Sequence, residues 1–147
     1  MNPKDSNTIA EAAVAAVICA AGSSKRMAGG KKEYRPLHGS DLTVLGAAVS
    51  AFAAVSEISV IVITVPAGAE TEARNALPRE ILSGEKGSLI HFVPGGETRR
   101  GSVFNALHSL SAFNPDYVLI HDGARPWISP GLITRIITAV KNWATII

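Results

Sequence analysis

Residues 16–27 read AVICAAGSSKRM. An apolar run that begins at residue 12 empties into two alanines and a glycine, then two serines, then Lys25 and Arg26. The continuous apolar stretch over 12–20 reads as a strand covered on both faces, although its alanines leave a helix open upstream. A turn that only reverses the chain needs no cation. Small residues let the backbone approach a ligand closely, and successive N–H groups in such a turn form an anion-binding concavity. Lys25 and Arg26 add full charges, Arg as a planar fork for phosphate oxygens and Lys as a mobile point charge. The stretch predicts a buried strand that ends at a polyphosphate site. The alternative is a solvated basic turn after an ordinary strand, because a single glycine-rich turn is a weak signal.

The rest of the chain repeats the strand-then-loop pattern. Residues 21–40 read as a long functional loop in which Lys31, Lys32 and Arg35 join Lys25 and Arg26. Residues 42–55 carry apolar positions at helical spacing, and ISVIVITV (58–65) is β-branched and continuous, as in a parallel strand. A helix over 70–82 is open to a break at Pro78. SLIHFV (88–93) reads as a third strand, 98–110 as a helix, DYVLIHD (116–122) as a fourth strand, and 130–143 as a last helix. In that helix Leu132, Ile133, Ile136, Ile137 and Val140 share one face. NWATII (142–147) reads as the opening of a fifth strand, so the sequence is expected to be a fragment or a shortened protein. Residues 1–12 are expected to form a flexible N-terminal segment and 13–147 the nucleotide-binding part of a single domain. Strands alternating with helices predict an α/β fold, an open and mostly parallel sheet with helices on both faces. Ligands bind beyond the carboxyl ends of such strands.

Three loops leave that edge, and they are the most polar and glycine-rich parts of the chain. In PGGETRRGS (94–102), paired glycines would let a flat base or ribose lie against bare backbone, and Ser102 could bond a base edge. The same residues also read as a helix start capped by Thr98. Arg99 and Arg100 oppose the macrodipole there, which implies a further task, either anion binding or pairing within the fold. In HDGARP (121–126), Asp122 sits where a strand meets the cleft and could hold Mg²⁺, which takes one or two carboxylates plus phosphate oxygens. Gly123 would keep the backbone open beside it and Arg125 would bind a further phosphate; the alternative is that Arg125 pairs with Asp122. His121 reads as a packed strand-end residue rather than a base. Together the loops describe phosphoryl or nucleotidyl transfer, which needs positioning and charge neutralisation more than a protein nucleophile.

Composition removes several other classes. Apolar residues make up 47% of 147, so the chain is long and apolar enough for a core. A net charge of +2 is too small to argue for nucleic acid. Cys19 is the only cysteine, so no intrachain disulfide forms. Asp5 and Glu11 interrupt the approach to the first apolar run, against a secretory signal. No run reaches the roughly 18 apolar residues of a membrane span, and a cytoplasmic location is expected. Neither a Walker A loop nor G-x-G-x-x-G occurs.

AAGSSKRM, KKEY, GGETRRGSV and HDGARP stand in the order and rough spacing of 2-C-methyl-D-erythritol 4-phosphate cytidylyltransferases, and residues 14–147 resemble the first two thirds of that family. The resemblance implies a Rossmann-like nucleotidyltransferase fold that moves CMP from CTP to 2-C-methyl-D-erythritol 4-phosphate, with release of pyrophosphate, in isoprenoid precursor synthesis. It implies that Arg26 and Lys32 are catalytic, stabilising charge at the α-phosphate. It further implies that Ala20, Ala21, Gly22 and Lys25 line the nucleotide loop, and that Gly95, Gly96, Glu97 and Ser102 surround cytosine. Asp122 would contact Mg²⁺ and nucleotide, flanked by Gly123, and Arg125 would lie near the acceptor phosphate. Full-length members are expected to be homodimers. Ser24 and Gly123 stand where the family has glycine and alanine, and the family's later segments, with further site residues and the dimer arm, are not in this sequence. A transferase for a polyol phosphate such as ribitol 5-phosphate, and a shortened inactive nucleotide-binding domain, are the alternatives.

Overall fold

The computed structural model describes residues 12–22, 31–85 and 87–144. Lys25 and Arg26 lie outside these residues, as does the expected N-terminal segment but for residue 12. Four strands form one sheet: β1 (Val14–Cys19), β2 (Ile58–Val65), β3 (Leu89–Pro94) and β4 (Tyr117–Asp122). All the pairings are parallel, and the spatial order is β3-β2-β1-β4. The first strand is therefore internal, which is why Val14 to Ile18 are wholly buried. A strand flanked on both sides and covered on both faces has no polar position to spare.

Five helices complete the described fold: α1 (Val44–Ala53), α2 (Glu70–Asn75), α3 (Arg79–Leu82), α4 (Arg99–Ser109) and α5 (Pro130–Ala144). The alternation of β1 sorts them into layers. Val14, Ala16 and Ile18 face a core built with Leu45, Val49 and Phe52 of α1 and Ile133 and Ile137 of α5. Ala15 and Val17 point the other way, onto Ala106 of α4 and Leu110 just after it. Helices thus cover both faces, as the sequence predicts. Burying each Leu, Ile or Phe contributes about 1.5–3 kcal/mol before entropy is charged against it.

The break expected at Pro78 is real: α2 ends at Asn75, and α3 starts at Arg79 with Pro78 as its N-cap. One expectation for the last helix fails. Asn142–Ala144 belong to α5 and do not open a strand, since Val140 and Trp143 continue the helical spacing; residues 145–147 lie outside the described residues. The shared apolar face buries unevenly. Ile133 and Ile137 are buried, while Leu132, Ile136 and Val140 remain about two-fifths exposed. The reason is position: β4 is the last strand of the described sheet, and α5 packs over its free edge.

The topology also places the site. The chain runs outward from β1 to β2 to β3, then crosses back through α4 to set β4 on the other side of β1. The strand order reverses between β1 and β4, the point at which open α/β sheets bind ligands. The register aligns Cys19 with Thr64 and Asp122, and Val65 with Pro94, so these strands end on a common edge.

Candidate functional site

A cleft of about 710 Å³ opens above that edge. Gly22 enters it from the loop after β1, Gly95 and Gly96 from the loop after β3, and Asp122 and Arg125 from the end of β4. Lys32 enters from a 3-10 turn at Lys32–Tyr34. Ala21, Glu97 and Ser102 also line it, so residues far apart in sequence share one wall.

Asp122 is the electrostatic centre of the described cleft. Arg99 reaches across from the first turn of α4 and donates to its Oδ1 through Nε at 3.2 Å and Nη2 at 2.9 Å. Arg125 approaches Oδ2 through Nε at 3.2 Å. Hydrogen bonds from Arg99 hold the Asp122 carboxyl below the usual carboxylate range; partial burial opposes this, and the positive charges of both arginines and the neighbouring His121 assist it. Arg99 at the head of α4 thus finds a counter-charge in β4, the pairing within the fold that its position in the sequence left open. The predicted alternative, Arg125 paired with Asp122, is also present.

The glycine-rich turn is held from within. Thr98 caps α4 by accepting from the Gly101 N–H at 3.0 Å. The Ser102 hydroxyl accepts from the Gly96 N–H and donates to the Thr98 carbonyl, both at 3.1 Å. Ser102 faces the cleft, yet its hydroxyl already ties the turn to the helix. The glycines owe their smallness to neighbours in the fold. A Cβ on Gly95 would stand 2.1 Å from the Ala21 Cβ, and one on Gly96 would stand 2.8 Å from the Gly101 carbonyl carbon. Gly95 lines the cleft, yet its smallness is already required by the β1 loop it packs against.

Two expected positions lie behind the wall. Ala20 is buried and donates its N–H to the Thr64 carbonyl at 3.0 Å. Gly123 is buried as well, and a Cβ there would meet the Ala20 Cβ and Leu45 Cδ1, both at 3.1 Å. It permits close packing under Asp122 rather than an opening beside it. His121 turns to the opposite layer, its ring 5.3 Å from that of Phe52 and its Nε2 2.9 Å from the Arg125 carbonyl oxygen. It reads as the packed residue the sequence predicts.

Other cleft residues carried no clear sequence signal. Thr64 sits inside an apolar run, and its Oγ1 stands 3.3 Å from the Ala20 N–H that it accepts. Cys19 faces the cleft beside Asp122, and burial pushes its thiol up. Lys31, next to Lys32, donates to the Gly22 carbonyl and lies 3.8 Å from Glu33. Burial lowers the Lys31 ammonium, partly offset by Glu33. Lys31 fastens the described end of the β1 loop, leaving Lys32 to face the cleft. Only the repetition of two cations pointed to this division of labour.

Comparisons with known proteins bear on the family and the fold. Residues 14–147 match the family described as 2-C-methyl-D-erythritol 4-phosphate cytidylyltransferase. The enzyme of that name from Pelotomaculum thermopropionicum is 41% identical over 133 residues, covering 88% of this chain and 52% of its own. That from Cereibacter sphaeroides is 36% identical over 129 residues, covering 87% and 54%. The crystal structure of 4-diphosphocytidyl-2C-methyl-D-erythritol synthase from Anaerococcus prevotii superposes with a TM-score of 0.65 at 27% identity, over 88% of this chain and 51% of that one. The chain spans about half the length of these relatives. Motif order, sheet topology and sequence identity lead to one conclusion: the chain belongs to the 2-C-methyl-D-erythritol 4-phosphate cytidylyltransferase family.

Proposed function

We propose that this chain forms the nucleotide-handling part of an enzyme that transfers CMP from CTP to 2-C-methyl-D-erythritol 4-phosphate. A phosphate oxygen of the acceptor attacks the α-phosphorus of CTP, the bond to the bridging oxygen breaks, and pyrophosphate leaves. The nucleophile belongs to the substrate, so no protein base is needed. The protein's work is to align the reactants and neutralise charge. The observation that carries this reading is the meeting of Lys32, Arg99, Arg125 and Asp122 beside a glycine turn, at the switch point of the sheet. Lys32 and Arg26 are assigned to the charge that builds at the α-phosphate, and Lys25 and Gly22 to the nucleotide loop. Ala21, Gly95, Gly96 and Glu97 are assigned to the base and ribose side, and Arg125 to substrate phosphate.

A divalent cation suits this chemistry. Among the described residues no group of three metal-ligating side chains forms a cage. Mg²⁺ needs none, since it takes one or two carboxylates and completes its shell with phosphate oxygens and water. Asp122 fits that role once its arginines move, and their side chains are 63% and 76% exposed. Bound there, the ion would neutralise triphosphate charge. A homodimer of the full-length enzyme and a cytoplasmic location belong to the same reading. Among the described residues no helix is long and apolar enough to cross a membrane.

The test is pyrophosphate release from CTP and Mg²⁺ with 2-C-methyl-D-erythritol 4-phosphate, run beside ribitol 5-phosphate and paired with calorimetric titration of CTP. Faster release with the first acceptor is expected. Equal or faster release with ribitol phosphate reassigns the acceptor, and CTP binding without release leaves a nucleotide-binding domain. Absence of both CTP heat and pyrophosphate overturns the reading.

A further inference from the structure

We propose that Arg99 and Arg125 form a two-fork receptor for the phosphates of a nucleotide or of pyrophosphate, and that Asp122 is the counter-ion occupying this receptor until the phosphates arrive. The inference rests on the nucleotide-transfer reading only for the identity of the ligand. Arg99 is the new member, a binding residue for the anion.

The two guanidiniums come from separate elements, the head of α4 and the loop after β4, and take different oxygens of one carboxylate. A single carboxylate therefore neutralises half of their joint charge. None of the three side chains is anchored in the core: Arg99 is 63% exposed, Arg125 76% and Asp122 35%. Each arginine can turn its fork without disturbing packed side chains. Polyphosphate brings more charge and more acceptor oxygens than one carboxylate, and it suits bidentate guanidinium contacts. The placement of Arg99 argues the same way. A cation at a helix N-terminus is unfavourable to the dipole, and an exposed ion pair returns little stability. Its position is better explained by the cleft it faces than by the fold.

The consequence is an exchange. When phosphate oxygens take over the guanidiniums, both Asp122 oxygens are released together, next to the same phosphates. Nucleotide arrival and cation loading are then coupled through two arginines that need not touch the cation.

The experiment measures pyrophosphate and CTP affinity by calorimetry on the full chain in EDTA, where no cation contributes. Asp122→Asn is expected to tighten pyrophosphate binding about three- to tenfold, the scale of two exposed ion pairs released. General removal of negative charge would do the same whether or not Arg99 is present, so the comparison is repeated in Arg99→Gln. There the gain is expected to fall below about twofold, because direct competition needs the fork while long-range repulsion does not. Equal affinity in wild type and Asp122→Asn, or an undiminished gain in Arg99→Gln, overturns the proposal while leaving the cytidylyltransferase reading standing. If Asp122→Asn does not fold, Arg99→Gln against Arg99→Lys decides: both must weaken metal-free pyrophosphate binding, and retained wild-type affinity in either refutes the two-fork receptor. Pyrophosphate binding with the expected coupling but no CTP binding in any buffer would keep the receptor and discard the cytidylyltransferase reading.

Discussion

Two glycines that line the cleft should respond differently to the same substitution. In Gly95→Ala the new methyl would sit 2.1 Å from the Ala21 Cβ and 2.8 Å from the Ser102 Oγ. The first contact is between a Cβ and a β-carbon fixed to backbone, so no rotamer relieves it. The loop after β3 must move from the loop after β1, against the bond from the Gly95 N–H to the Val65 carbonyl at 2.7 Å. Overpacking of this kind costs about 1–3 kcal/mol. For a domain of this size that lowers the melting temperature by roughly 2–4 °C per kcal/mol, and the loss needs no ligand to appear. In Gly22→Ala nothing stands within 4 Å of the new carbon, and the stability change should stay within about 0.5 kcal/mol. Its effect should appear in CTP affinity instead. Thermal unfolding of both variants, with and without CTP, separates the two. If Gly95→Ala melts with wild type, the packing account of the glycine turn is wrong. If Gly22→Ala changes neither stability nor CTP affinity, its place in the nucleotide loop is lost.

Lys32→Ala should lower kcat/KM about 10²–10³-fold, the scale of a lost transition-state donor, with the unfolding midpoint unchanged. A tenfold loss or less would remove Lys32 from the charge at the α-phosphate. Burial, with the charges of Glu72 and Glu33, pushes the Tyr34 hydroxyl up to about 12 from 10.0, so folding favours the protonated form. The resulting stability is complete below pH 10 and is lost as pH rises through 12, worth under about 2 kcal/mol after solvent screening. Tyr34→Phe should flatten that alkaline loss and be neutral or stabilising at pH 7, because the buried hydroxyl has no hydrogen-bond partner among the described residues; equal alkaline slopes in the two proteins would contradict this. Cys19, its thiol raised by burial, should react with iodoacetamide more slowly than a free cysteine at pH 8, and CTP should slow it further.

The fold was largely legible because its signals are local. ISVIVITV is β-branched at every position but Ser59, and β2 occupies the residues read from it. Thr98 announced α4 by a capping rule that reaches only three residues. The site was half legible. Three loops of the right chemistry on one sheet edge could be read, because parallel strands must end together. What each residue faces could not. Gly95 is small because of Ala21, and Gly123 because of Ala20 and Leu45, contacts between residues distant in the chain. Glycine beside a ligand and glycine beside another backbone are spelled alike. The last helix shows the same limit: its stripe of five apolar residues was visible, but how much of it is buried depends on which strand lies beneath.

Arg99 joins the two halves of this account. A cation in the first turn of a helix breaks a local rule, and a sequence breaks such rules where something else compensates. In the structure the compensation is the Asp122 carboxylate, from the far side of β1. That pairing alone is too exposed to hold α4 against the sheet, a task already done by Ala106 and Leu110. The packing therefore leaves the Arg99–Asp122–Arg125 triad free for exchange, and it keeps the triad assembled at the switch point when no anion is bound. A pair needed for stability could not be surrendered to a substrate; this one can, because the core beneath it is complete without it.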